Sequence, residues 1–195
     1  MQVIAGRFRG RALEGLPDRS VRPATARVRQ AVFDVLAGRM EFGGKTVLDL
    51  FAGTGSLGIE AISRGAAQAV FVERHRAALR VIERNLARLG CREQAEVWDA
   101  DAMEFMERAQ ADYDLVFADP PYRFDRTSDI PSIAFRRGLV RTGGYLLIEH
   151  TPDVRFPEPI PGGGIHTSRK FGRTIVTIFL PRPAVTAEAD DRSPL

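Results

Sequence analysis

The chain has 195 residues, 44% of them hydrophobic and 27% charged, which suits one soluble domain with a full apolar core and argues against wholesale disorder. No run approaches the roughly 18 consecutive apolar residues of a membrane helix, and the start Met1-Gln2-Val3-Ile4-Ala5 lacks a secretory apolar segment, so a cytoplasmic protein is expected. Cys91 is the only cysteine, excluding an internal disulfide and a cysteine-based zinc cluster; no metal and no membrane partner are expected.

The formal charge of +3 is unevenly spread, because residues 1–29 carry seven arginines against Glu14 and Asp18. The excess suggests a phosphate-facing arm on a near-neutral body. Three units are expected: a basic hairpin and helix over 1–40, a catalytic domain over 41–182 and a disordered tail over 183–195.

In chain order, Gln2 to Leu13 alternates loosely and reads as a short hairpin with Arg7, Arg9 and Arg11 on one face. Thr25 is placed to cap a helix through Val28, Val32, Val35 and Leu36. From Lys45 strand and helix signals alternate, which marks βα units and a parallel sheet. Val47–Phe51 reads as a buried strand, Ser56–Arg64 as a helix and Ala69–Glu73 as the next strand. Leu79, Ile82, Leu86 and Leu89 mark a helix stopped by Gly90; Ala95–Asp99, Ala102–Ala109 and Tyr113–Ala118 follow as strand, helix and strand. A helix is expected around Ile133–Leu139, then a strand over Tyr145–Glu149, a loop over Pro152–Pro161 and a hairpin from Ile165 to Leu180. Trp98 and the strand phenylalanines read as core, and His150 and His166 as ordinary structural or surface residues.

Two motifs carry chemistry. After the first core strand, Asp49-Leu50-Phe51-Ala52-Gly53-Thr54-Gly55-Ser56-Leu57-Gly58 is a Gly-rich turn opening a helix, with Glu73 at the end of the next strand to accept ribose hydroxyls. Asp49 beside that turn would repel a pyrophosphate but attract a sulfonium and an ammonium, which points to S-adenosylmethionine rather than a nicotinamide dinucleotide. Asp101, a candidate helix cap, and Ala102 would meet the adenine.

The second motif is Asp119-Pro120-Pro121-Tyr122, directly after the fourth core strand. The lone pair of an exocyclic base amine is delocalised into the ring, so methyl transfer needs acceptors that pull the nitrogen toward tetrahedral geometry. Asp119 and the Pro120 carbonyl can each accept one N–H, the two prolines fix that geometry, and Tyr122 can stack on a base drawn out of its helix. Such a site serves guanine N2 or adenine N6 alike; an inert RNA-binding or assembly factor is the reading from outside the enzymes.

These two motifs together resemble the Rossmann-like amino-methyltransferases. Ile4-Ala5-Gly6-Arg7-Phe8-Arg9-Gly10-Arg11 and Arg22-Pro23-Ala24-Thr25-Ala26-Arg27-Val28-Arg29 further resemble the RsmD family over residues 2–180. The resemblance implies a mostly parallel seven-stranded α/β sheet with an antiparallel C-terminal hairpin. It also implies methylation of guanine N2 in 16S ribosomal RNA, within an assembling 30S particle, with S-adenosylhomocysteine as product. By the same resemblance, Arg22, Thr25, Asp49, Phe51, Ala52, Gly53, Gly55, Glu73, Arg74, Asp101 and Ala102 hold the cofactor, and Arg7, Arg9 and Arg11 bind RNA. The chain departs from the family at Ala26, usually Asp, and at His75, usually Asp or Asn.

Overall fold

The computed structural model describes residues 1–16 and 26–182; Arg22, Thr25 and the C-terminal tail lie outside the described residues. The strands are β1 Thr46–Leu50, β2 Gln68–Glu73, β3 Ala95–Asp99, β4 Tyr113–Ala118, β5 Val140–His150, β6 Gly163–Phe171 and β7 Thr174–Pro181. They form one sheet in the order β3-β2-β1-β4-β5-β7-β6. The first five pair in parallel, and β7 runs antiparallel between β5 and β6. Strand order therefore reverses between β1 and β4, and a crevice opens at their carboxyl ends.

Central strands are apolar on both faces because helices cover both. On one side α1 Ala26–Ala37, α2 Ser56–Ser63 and α3 Arg76–Leu89 close over Val47, Phe71 and Phe117; on the other, α4 Ala102–Arg108 and α5 Ile130–Arg136 close over Leu48, Val70, Val72 and Val116. Adjacent residues of one strand thus serve different cores, as the two-residue period requires. Gly90 stops α3 in the left-handed conformation at φ 69°.

Four local expectations change. Trp98 is 46% exposed, because β3 is an edge strand and its ring meets Phe105 edge-on instead of a covering layer. The α3 stripe is Ala78, Val81, Ile82, Asn85, Leu86 and Leu89, with Leu79 only half-buried. α5 starts at Ile130 with Pro131 in its first turn, earlier than the apolar spacing suggests. β5 starts at Val140, which pairs with Tyr113 before an irregularity restores register at Leu115 and Tyr145; Gly143-Gly144 lies inside the strand instead of breaking it.

The N-terminal segment does double back, but as one isolated bridge between Gln2 and Ala12 around a 3-10 turn at Gly6–Phe8, not as a regular ladder. The three arginines consequently do not share a strand face. Arg7 donates to the Gln94 side chain, Arg11 Nη2 donates to the Arg88 carbonyl at 3.0 Å, and Arg9 is exposed. Glu60, buried in α2, holds the segment by accepting from the backbone N–H groups of Ile4 (2.8 Å) and Ala5 (2.9 Å).

Candidate active site

The turn between β1 and α2 is fixed from two sides. Asp49 Oδ2 accepts from Gly58 N–H at 2.9 Å, and Glu73 Oε2 accepts from Gly53 N–H at 2.8 Å. The other Glu73 oxygen accepts from the N–H groups of Arg74 and His75, both at 2.8 Å. Within the turn Phe51 adopts φ 58° and Gly55 φ 76°, so the chain reverses tightly enough to start α2 directly beneath the crevice.

A cavity of about 420 Å³ occupies this crevice. Its walls include Asp49, Phe51, Ala52, Gly53, Glu73, Arg74, Asp101, Ala102, Asp119, Pro120, Pro121 and Tyr122, all named from the sequence. Gly55 does not line it but serves as the N-cap residue of α2. Asp101 does cap α4, accepting from Met103 N–H (2.9 Å) and Glu104 N–H (3.3 Å), while its other oxygen meets Arg74 Nη1 at 3.3 Å.

The site is strongly acidic inside. Burial pushes the Asp49 carboxyl up to about 8, against the lowering effect of the Gly58 N–H and with the Glu73 charge adding to the rise. Burial likewise drives Asp119 well above the ordinary carboxylate range, with Glu149 and then Asp49 adding repulsion. Glu149 rises to about 7, chiefly through burial, despite a hydrogen bond with Thr174. A cationic ligand in the crevice would draw these carboxyls back toward their ionised form, whereas a pyrophosphate would push them further toward the neutral one. The ordinary size of the cavity for a small-molecule site, near the lower end of about 300–1,000 Å³, agrees with one nucleoside-bearing ligand.

Asp119 is half-buried and Tyr122 is 58% exposed at the rim, a placement that offers an aromatic face to an incoming ring. Behind the motif a small recess is walled by Asp119, Pro120, Glu149, His150 and Thr151. Phe124, two residues after Tyr122, packs edge-on against Phe51 with ring centroids 5.1 Å apart. His150 is structural: Nδ1–H donates to the Thr151 carbonyl at 2.9 Å, and Nε2 lies 2.8 Å from Thr177 Oγ1.

Two residues escaped the motif reading. Glu149 lines both the cavity and the recess; its signal was an acid at the carboxyl end of a buried strand, the place Asp49, Glu73 and Asp119 also occupy. Asn85, fully buried in α3, accepts from Glu14 N–H at 2.7 Å and donates to the carbonyls of Glu14 and Thr54, both at 3.2 Å. It ties the N-terminal segment to the Gly-rich turn, and Leu16 just beyond joins the cavity wall.

Comparison with known proteins places this geometry. Bacillus subtilis YlbH, provisionally named an rRNA methyltransferase, is 33% identical over 187 residues, covering 93% of this chain and all of the relative. Ribosomal RNA small subunit methyltransferase D of Escherichia coli is 29% identical over 190 residues, 97% of this chain and 94% of that one. A solved Escherichia coli structure, provisionally named methyltransferase yhhF, superposes with a TM-score of 0.80 at 30% identity, covering 93% of this chain and 97% of that one. The family model described as Conserved hypothetical protein 95 matches residues 1–180, and the chain belongs to that family, the RsmD family.

Proposed function

We propose that this protein methylates the exocyclic N2 amine of a guanine in small-subunit ribosomal RNA, within an assembling 30S particle in the cytoplasm. The observation that carries the reading is that Asp119, Pro120, Pro121 and Tyr122 line the same cavity as Asp49, Phe51, Ala52 and Gly53 of the Gly-rich turn and Glu73. Its support from relatives is the rRNA methyltransferase name borne by proteins similar along nearly the whole chain. No helix among the described residues is long and apolar enough to cross a membrane.

The acidic cavity suits S-adenosylmethionine, with Glu73 for the ribose, Asp49 for the cationic end, and Asp101 with Ala102 beside the adenine. Bound there, it supplies an activated methyl on a sulfonium. The protein's own part is orientation. Asp119 and the Pro120 carbonyl accept the two N–H bonds of the amine and direct its lone pair, Tyr122 stacks on the base, and Asp119 is the nearby carboxylate able to receive the proton the amine loses. Arg22 and Thr25 complete the cofactor set in this reading.

The test is transfer of labelled methyl from S-adenosylmethionine to small-subunit particles and naked ribosomal RNA from cells lacking the protein, followed by nucleoside chromatography. Label in N2-methylguanosine is the expected result. Label in N6-methyladenosine overturns the choice of base, and no label in either substrate overturns the reading as a whole.

A further inference from the structure

The solvent face of α3 carries Arg76, Arg80, Arg84 and Arg88, each four residues from the next and all exposed. Four residues of helix rise about 6 Å, so the row extends for about 18 Å. It starts at the crevice, where His75, the residue before α3, and the exposed Arg74 line the cavity. It ends where Arg11 Nη2 donates to the Arg88 carbonyl at 3.0 Å, which brings Arg11, and the exposed Arg9 two residues before it, to the end of the row. The two arginine groups, far apart in sequence, thus form one track from the cavity mouth to the N-terminal turn.

This row is unfavourable for the helix itself. Like charges at i,i+4 repel, and Arg76 stands in the first turn, the positive end of the helix, where no acid offsets it. An ordinary solvated face alternates signs. Here Glu14 neutralises Arg84, and Glu83 is engaged with Arg92. Among the described residues Arg76, Arg80 and Arg88 form no ion pair, although the Arg88 charge reaches Glu14. Apolar anchors of the kind that centre a protein interface are absent from the row, since Leu79 is half-buried and the residues between are Ala77, Glu83 and Ala87.

We propose that the exposed face of α3, continued by Arg11 and Arg9, is the docking track for the phosphate backbone of the RNA strand that flanks the target nucleotide. Guanidinium groups match phosphate oxygens with paired donors, and their spacing lets one strand be touched at successive phosphates while its unstacked base enters the cavity beside Tyr122. The assignment rests on the rRNA reading above and adds a surface to it.

The experiment compares the full-length protein with R76Q/R80Q/R88Q, changes to exposed positions by a good helix former. Binding to naked small-subunit ribosomal RNA is titrated across salt concentrations, and binding of S-adenosylhomocysteine is measured alongside to show an intact crevice. The triple variant is expected to flatten the slope of log K against log salt by about 2, since each lost phosphate contact on a single strand removes about 0.7. R169Q/K170Q, on the opposite edge strand β6, is expected to leave the slope unchanged. A triple variant with the wild-type slope and intact cofactor binding overturns the track, as does an equal loss in both variants. Failure of the wild type to methylate either particles or RNA would instead overturn the functional reading, so the two failures are separable.

Discussion

Glu73 accepts the Gly53 N–H at 2.8 Å, so the acid ending β2 and the Gly-rich turn following β1 form one hydrogen-bonded unit. With Arg74 and His75 also donating to it, this carboxylate organises three backbone groups before it meets any ligand. Glu73→Ala leaves those donors without their partner, each worth about 1–3 kcal/mol when buried. The expected outcome is a lower melting temperature together with at least a roughly tenfold loss of S-adenosylhomocysteine affinity, measured by thermal unfolding and calorimetry.

Asp119 is linked to that unit through the Asp49 charge, with no hydrogen bond between them. Asp119→Ala is expected to lower turnover by about 10²–10³-fold, the usual loss when one preorganised transition-state contact is removed. Cofactor affinity should stay within about threefold of wild type, since Asp49 and Glu73 keep their own partners. An unchanged rate in single-turnover assays would remove Asp119 from the reaction.

The raised carboxylates make a pH prediction. An acid whose folded pKa exceeds its unfolded value binds more protons folded than unfolded, so stability falls as pH rises between the two values. Asp49 at about 8 and Glu149 at about 7 set that window from about pH 4 to pH 8. The ligand-free protein should therefore lose stability across it, followed by chemical denaturation at each pH. A cationic cofactor beside Asp49 favours its ionised form, so binding near pH 7 should release protons. The binding heat would then vary with the ionisation enthalpy of the buffer, and a buffer-independent heat would contradict a neutral Asp49 in the empty crevice.

Gly58 does two things at once, donating to Asp49 and packing α2 against β2. A Cβ there would come within 2.7 Å of Phe71 Cζ, a ring that is fully buried and cannot yield freely. Gly58→Ala should destabilise by about 1–3 kcal/mol through overpacking. For a chain of this size that lowers the melting temperature by about 2–4 °C per kcal/mol.

The sheet and its helices were legible because the βα units in residues 45–150 carry an apolar period and, for α2 and α3, a stop signal at Gly65 or Gly90. What the chain alone does not encode is which strand lies at an edge. Trp98 follows the same alternation as the buried strands, yet β3 has no outer neighbour and its ring stays half in solvent. In the site, Asp49, Glu73 and Asp119 were readable because each sits in a motif. Glu149 has no motif around it, and only the pairing of β4 with β5 brings it beside Asp119. The N-terminal arginines misled in another way. Glycine at φ 78° and 79° in Gly6 and Gly10 curls the chain into a turn that two-residue periodicity cannot represent.

The edge-on packing of Phe124 on Phe51 has a thermodynamic consequence, because one ring belongs to the Gly-rich turn proposed to hold the cofactor and the other follows Tyr122, the proposed platform for the base. A ligand that orders this aromatic pair spares the second part of the ordering entropy, so cofactor and RNA should bind with positive heterotropic coupling, each raising the other's affinity by the same factor. Phe124→Ala is expected to uncouple them, visible as an RNA affinity that no longer responds to saturating S-adenosylhomocysteine.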